Sequence, residues 1–194
     1  MQKIGLFFGT FDPIHNGHLQ LATYFSEQTD LDEIWFVITP QNPFKQETKS
    51  LPNEDRLALV KKAIEGCPKL QISTVEFDLP QPNYTIHTLT KLKKQYPQHT
   101  FVLLLGADNM TAFDRWKDYD QILSQYEIYV YPRTTVNSIP QKFQNHPKIS
   151  WTKAPKIELS SSQIRMGIQE GTDVSPLLPK SCWNYLMKNK LYRK

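Results

Sequence analysis

Two stretches, Ile34-Trp35-Phe36-Val37-Ile38 and Phe101-Val102-Leu103-Leu104-Leu105, are apolar at every position. Successive residues of a strand point to opposite faces, so a strand with one wet face alternates apolar and polar side chains. A run without alternation reads as a strand covered on both faces, which is the situation in a parallel sheet flanked by helices. Further strand candidates are Lys3–Phe8, Leu70–Val75 and Glu127–Tyr131, with the two apolar runs lying inside Glu33–Thr39 and Thr100–Leu105. Between them lie helix candidates. Leu19–Gln28 sets Leu21 beside Phe25, Asn53–Glu65 repeats Leu57, Val60 and Ile64 behind a possible Asn53 cap, and Asn83–Tyr96 carries Ile86, Leu89 and Leu92. Strand and helix alternate through the first two thirds of the chain. This predicts a doubly wound, Rossmann-like parallel sheet with helices on both faces, right-handed crossovers, and a ligand beyond the carboxyl ends of the strands.

Two proline-bearing segments, Pro40–Pro52 and Pro132–Pro147, read as long surface loops. Past Lys156 comes a serine-rich start and two short helical stretches. The expected organisation is therefore one domain over residues 1–194, with a core at 1–155 and a small C-terminal helical extension at 156–194. A chain of this length buries a core large enough to need no metal or disulfide staple. Cys67 and Cys182 are far apart and fit no metal or redox spacing, so both are expected as reduced thiols. No apolar run is long enough to cross a bilayer and residues 1–8 are too short for a signal core, which points to a cytoplasmic protein without a membrane partner. The net charge of +4 suits anionic small molecules and nucleic acid alike. Its densest stretches, Lys91–Lys94 and the tail from Lys188, read as solvated helix faces. The aromatic and proline content of residues 126–155 marks a possible homo-oligomer contact.

The chemistry concentrates in Gly9-Thr-Phe-Asp-Pro-Ile-His15-Asn-Gly-His18, directly after the first strand and before an amphipathic segment. Bare backbone N–H groups at Gly9, Thr10 and Gly17, a helix start and two imidazoles make a phosphate site. A zinc reading fails on spacing, since a helical zinc pair needs His at i and i+4 with an intervening Glu. Ser160-Ser161-Ser162-Gln163-Ile164-Arg165 is the second element. Ser160 with Gln163 forms a capping box, and a helix start with hydroxyls and an Arg one turn in also suits a triphosphate. Gly106-Ala107-Asp108 follows a strand end as Gly9 does. The remaining elements have plain structural readings: Lys45 as an exposed loop lysine, Asn83 or Thr85 as a helix cap beside a packed Tyr84, His87 as a surface residue, and Trp116 as core or, given its charged flanks Arg115, Lys117 and Asp118, as a loop ring.

The string at residues 9–18 resembles the signature of the nucleotidylyltransferase superfamily, and the chain as a whole is similar to the bacterial nicotinate-nucleotide adenylyltransferase family. The likeness rests on residues 4–18, Asn42–Lys45, Asn83–Leu89, Leu104–Trp116, Tyr131–Arg133 and Leu159–Arg165. It implies ATP contacts from Gly9, Thr10, His15, His18, Gly106, Asp108, Ser161, Ser162 and Arg165, with residues 156–194 completing that site. It implies acceptor contacts from Phe11, Lys45, Tyr84, Thr85 and Trp116, the last stacking on a pyridine ring. His18, His15, Lys45 and Arg165 would carry the catalytic charge, with His18 on the reacting phosphate. Phe44 stands where the family usually has histidine, so any phosphate contact by that histidine is lost or replaced, and Ser162 stands for the usual Thr.

The implied reaction joins ATP and nicotinate mononucleotide, releasing pyrophosphate. The attacking phosphate has a second pKa of about 6 and is already ionised, so no general base is needed. The burden falls on electrostatics and positioning, with Mg²⁺ carried on the ATP phosphates and no protein metal site. The alternatives are nicotinamide mononucleotide or phosphopantetheine as acceptor, or a non-catalytic nucleotide- or RNA-binding module. The sequence shows neither a basic stripe nor a sheet face of stacking aromatics for RNA, so nucleic acid is not expected as a partner.

Overall fold

A computed structural model describes residues 1–44, 50–134 and 138–193. Among these residues six strands form one sheet in the order β3-β2-β1-β4-β5-β6, every neighbouring pair parallel. Along the chain come β1 (Lys3–Gly9), α1 (Asn16–Gln28), β2 (Glu33–Ile38), α2 (Asn53–Ala63), β3 (Leu70–Ser73), α3 (Thr85–Gln95), β4 (Thr100–Gly106), the single turn α4 (Ala107–Met110), α5 (Tyr119–Gln125), β5 (Glu127–Tyr131), the single turn α6 (Gln141–Gln144), β6 (Ile149–Trp151), α7 (Ser161–Glu170) and α8 (Lys180–Lys188). This is the doubly wound order, whose direction reverses between β1 and β4 and leaves a crevice beyond their carboxyl ends.

The unbroken apolar runs are explained by the layers. Ile34, Phe36 and Ile38 of β2 and Val102 and Leu104 of β4 face one core, shared with α1, α2, α7 and α8. Val37, Phe101, Leu103 and Leu105 face the other, shared with α3, α5 and Phe143 of α6. Ile164, Ile168, Cys182 and Leu186 of α7 and α8 are buried in the first core beside Phe25 and Leu59, so α7 and α8 form part of the main helical layer. Cys182 donates to the Leu59 carbonyl at 3.3 Å, and burial pushes its thiol up to about 11. Cys67 is exposed, and both cysteines are free.

Several boundaries differ from the sequence reading. The first helix opens at Asn16 rather than Leu19, since His15 takes the extended N-cap position. Asn53 lies inside α2, behind Pro52, and accepts from Arg56 instead of capping. Asn83 does not cap either; α3 begins at Thr85, and the Asn83 amide ties the Gln41 N–H to the Glu76 carbonyl. The segment Pro132–Pro147 holds α6, and β6 was missed because a three-residue edge strand carries too little pattern. The basic tail leaves the helix at Lys188 and folds back, with Lys190 and Tyr192 in the left-handed region. Among the described residues no helix is long and apolar enough to cross a membrane.

Candidate active site

The crevice at the β1–β4 reversal opens into a cleft of about 590 Å³, within the range of small-molecule sites. Every predicted site residue inside the described set lines it: Gly9, Thr10, Phe11, His15, His18, Tyr84, Thr85, Gly106, Asp108, Trp116, Ser161, Ser162 and Arg165. Lys45 lies outside the described residues.

The turn after β1 is fixed from several sides. His15 N donates to His18 Nδ1 at 3.2 Å. A neutral His18 therefore carries its proton on Nε2. The two imidazoles stack at 3.7 Å between centroids, and the edges of Phe7 and Phe11 meet the His18 ring at 6.0 and 5.1 Å. His15 is buried, and its Nδ1 has no hydrogen-bond partner among the described residues. Burial first, and the Arg133 charge second, push His15 down to about 4, so the ring is neutral at neutral pH. Two imidazolium rings at stacking distance would repel, and the neutral His15 avoids that conflict.

The small residues of the turn serve packing as well as any ligand. A Cβ on Gly9 would stand 2.7 Å from the Phe11 ring, and one on Gly17 would run into Ile157. Phe11 itself is buried in the core at a left-handed φ of 48°. Its ring packs edge-on against Phe7, His18 and Phe36.

The start of α7 is bonded directly to this turn. Its capping box is complete, with Ser160 Oγ accepting from Gln163 N and Gln163 Oε1 accepting from Ser160 N. Ser161 Oγ donates to the Pro13 carbonyl at 2.9 Å, and Arg165 Nη1 donates to the Asp12 carbonyl at 2.7 Å. Arg165 Nη2 also reaches Ser162 Oγ at 3.1 Å. Two segments separated by some 150 positions in sequence thus meet on one wall of the cleft.

The other wall is aromatic. Trp116 packs on Phe113 and faces Phe44 in a near-parallel arrangement, centroids 6.4 Å apart and planes 27° apart. Lys117 lies 4.9 Å over the Tyr84 ring. The start of α3 lines the same side through Tyr84, its N-cap, and Thr85, while the His87 and Thr88 N–H groups donate back to the Tyr84 carbonyl.

Sequence reasoning missed four residues here. Arg133 lines the cleft and stacks over Tyr131 at 5.3 Å, and its buried Nε makes an ion pair with Asp108 Oδ1 at 3.7 Å but no hydrogen bond among the described residues. The motif Tyr131–Arg133 was visible in the sequence but had no assigned role. Lys117 was read only as a flank of Trp116. Glu76 is buried at the cleft floor, accepting from Thr88 Oγ1 at 2.5 Å, while its Oε2 has no hydrogen-bond donor among the described residues. Burial pushes its carboxyl up, partly offset by the Thr88 and Thr39 hydroxyls. Arg56, 1% exposed, donates to the carbonyls of Thr10, Thr39 and Leu51 and to Asn53 Oδ1. No local pattern distinguishes such an arginine from a solvated helix residue. Among the described residues no group of three or more His, Cys, Asp or Glu side chains is placed to hold a metal ion.

The cytidylyltransferase-like family matches residues 6–167. A protein of Christiangramia forsetii named probable nicotinate-nucleotide adenylyltransferase is 45% identical over 192 residues, covering 99% of each chain. One of the same name from Flavobacterium psychrophilum is 46% identical, covering 99% of this chain and all of its own length. Among solved structures, the Plasmodium falciparum nicotinic acid mononucleotide adenylyltransferase complexed with NaAD superposes with a TM-score of 0.81, covering 99% of this chain and 98% of that one at 20% identity. That structural likeness concerns the fold.

Proposed function

The chain belongs to the cytidylyltransferase-like family and, within it, to the nicotinate-nucleotide adenylyltransferases, and from that membership we propose how its cleft performs their reaction. ATP and nicotinate mononucleotide are joined to nicotinate adenine dinucleotide, a step of NAD biosynthesis, and pyrophosphate leaves. The observation that carries the residue assignment is the junction of the Gly9–His18 turn with the start of α7 through Ser161 and Arg165. It gathers backbone N–H groups, two imidazoles and a guanidinium at one end of a cleft whose other end is aromatic.

In this reading ATP lies over the β1–β4 crevice, with Gly106 and Asp108 beside its nucleoside and Thr10, His15, His18, Ser161, Ser162 and Arg165 around its phosphates. Residues 156–194 complete that half of the site. The acceptor ring lies against Trp116, with Phe44 as the opposite wall, and its carboxylate meets the open N–H groups at Tyr84 and Thr85. Lys45 serves the acceptor phosphate. A carboxylate only accepts hydrogen bonds while an amide also donates, so a subsite of N–H donors favours nicotinate over nicotinamide.

A phosphate oxygen of the mononucleotide attacks the α-phosphorus of ATP in line, and the bond to the pyrophosphate oxygen breaks. The attacking group is ionised near neutral pH, so the residues position and neutralise rather than take a proton. His15, neutral in the free protein, contributes a hydrogen bond rather than a charge. His18 donates from Nε2 to the reacting phosphate. Arg165 and Arg133 supply fixed positive charge where negative charge crowds together. ATP enters as its Mg²⁺ complex, the ion keeping water and phosphate ligands.

The test is pyrophosphate release from Mg·ATP with nicotinate mononucleotide, nicotinamide mononucleotide and phosphopantetheine offered separately. Turnover is expected with the first, far above the other two. Turnover only with phosphopantetheine, or none with any acceptor, overturns this reading.

A further inference from the structure

Asp12 is a hub that the reaction does not explain. It is 4% exposed, and its two ends hold different parts of the molecule. The carbonyl accepts from Arg165 Nη1 at 2.7 Å. Carboxylate Oδ1 accepts from Leu51 N at 3.2 Å and from the Tyr192 hydroxyl at 2.5 Å, while Oδ2 lies 3.9 Å from Arg165 Nη1. The segment after α8 is shaped to deliver that hydroxyl. Leu191 N donates back to the Leu186 carbonyl at 3.0 Å, and the left-handed φ values of Lys190 and Tyr192, 52° and 62°, turn the chain toward the cleft. A non-glycine residue in that region is uncommon and needs its surroundings to hold it there. Here the hold includes the contact with Asp12.

The contact is a donor–carboxylate bond in a partly desolvated place. Burial first, and the Asp12 charge and hydrogen bond after it, push the Tyr192 phenol far above its usual range, so it stays protonated and donates. Leu51 is gripped on both sides, its N–H by Asp12 and its carbonyl by Arg56 at 3.2 Å. Arg56 also holds the Thr10 carbonyl at 2.7 Å. Residues 10–12 are therefore fixed by Arg56 on one flank and by Tyr192 on the other. The Arg165 guanidinium takes its aim from the Asp12 carbonyl.

We propose that Tyr192 is a positioning residue for the ATP phosphate clamp: its hydroxyl fixes Asp12, and Asp12 fixes Arg165 against the Gly9–His18 turn. The proposal rests on the assignment of Arg165 to the ATP phosphates. Removing the hydroxyl leaves a buried carboxylate short of one donor, which costs position before it costs fold. The phenyl ring left in Tyr192→Phe keeps the packing.

The test uses the full chain as wild type, Tyr192→Phe, Arg165→Lys and the double variant. Binding of a non-hydrolysable ATP analogue with Mg²⁺ is measured by calorimetry, and KM for each substrate by pyrophosphate release. Tyr192→Phe is expected to weaken analogue binding and raise the KM for ATP five- to tenfold, leaving the KM for the acceptor within twofold. In the Arg165→Lys background the same change is expected to add less than twofold, because the two residues act in series. The calorimetric stoichiometry separates loss of folded protein from loss of affinity. Unchanged analogue affinity, equal KM increases for both substrates, or a full multiplicative effect in the double variant overturns the proposal. Analogue binding needs no acceptor, so a wild type that binds the analogue but turns over no nicotinate mononucleotide overturns the reaction instead.

Discussion

Around the Gly9–His18 turn, position is set by buried hydrogen bonds to main chain: Arg56 on three carbonyls, Asp12 on Leu51 and Tyr192, Ser161 and Arg165 on Pro13 and Asp12. Around Trp116, position is set by rings in loose contact, with Phe44 53% exposed and Lys117 exposed. The difference follows from what each end handles. In-line displacement at phosphorus tolerates little misplacement, and charge repulsion must be met by groups already oriented. A flat ring is recognised by area and stacking, which forgive small displacements. One end of the cleft is therefore rigid and polar, the other adaptable and aromatic.

This contrast breaks most sharply at Arg56. Arg56→Ala leaves the carbonyls of Thr10, Thr39 and Leu51 short of a donor in the interior, and is expected to cost about 4 kcal/mol of stability. Urea unfolding checks it; a cost under about 1 kcal/mol would mean the turn holds itself.

His18→Ala probes chemistry at the same end. A lost transition-state donor is worth about 3 kcal/mol, roughly a hundredfold in kcat/KM, beyond the loss of stability from removing the acceptor of His15 N, which unfolding curves measure separately. A variant with near-normal turnover removes His18 from the reacting phosphate.

His15 gives the rigid end a pH signature. Its folded value of about 4 lies below its unfolded 6.5, so protonation favours the unfolded chain. Its contribution is complete above pH 6.5 and is lost as the pH falls from 6.5 toward 4. Wild type should lose about 2 kcal/mol more than His15→Gln between pH 7 and pH 4.5 in paired urea titrations. A parallel loss in both proteins would show that the ring is not the cause.

At the aromatic end the effects should be smaller and confined to the acceptor. Trp116→Ala is expected to raise the KM for nicotinate mononucleotide about tenfold, and Phe44→Ala about threefold, with the KM for ATP unchanged. Equal effects on both substrates would erase the division between the two ends.

Much of this was legible in advance. The unbroken runs at Ile34–Ile38 and Phe101–Leu105 implied a sheet covered on both faces, and the structure covers both faces. The Ser160–Gln163 pair foretold the capping box that opens α7. These signals are local: period, cap and turn chemistry act within a few residues. Asn53 and Asn83 looked like caps for the same local reason; Asn53 instead accepts from Arg56 three residues on within α2, and Asn83 joins the Gln41 N–H to the Glu76 carbonyl. Their side chains found better-placed partners once the chain had folded.

The sequence alone determined the fold class, the two segments that bring phosphate chemistry, and the family, because each of those is written in neighbouring residues. Tertiary structure alone decided that α7 closes onto Asp12 and Pro13, that Arg56 is interior, that Arg133 overlooks the cleft, and that Tyr192 returns to the first turn. Those contacts join residues far apart along the chain. A buried polar side chain takes whichever partner the packed layers bring within reach, and no spacing in the sequence encodes that choice.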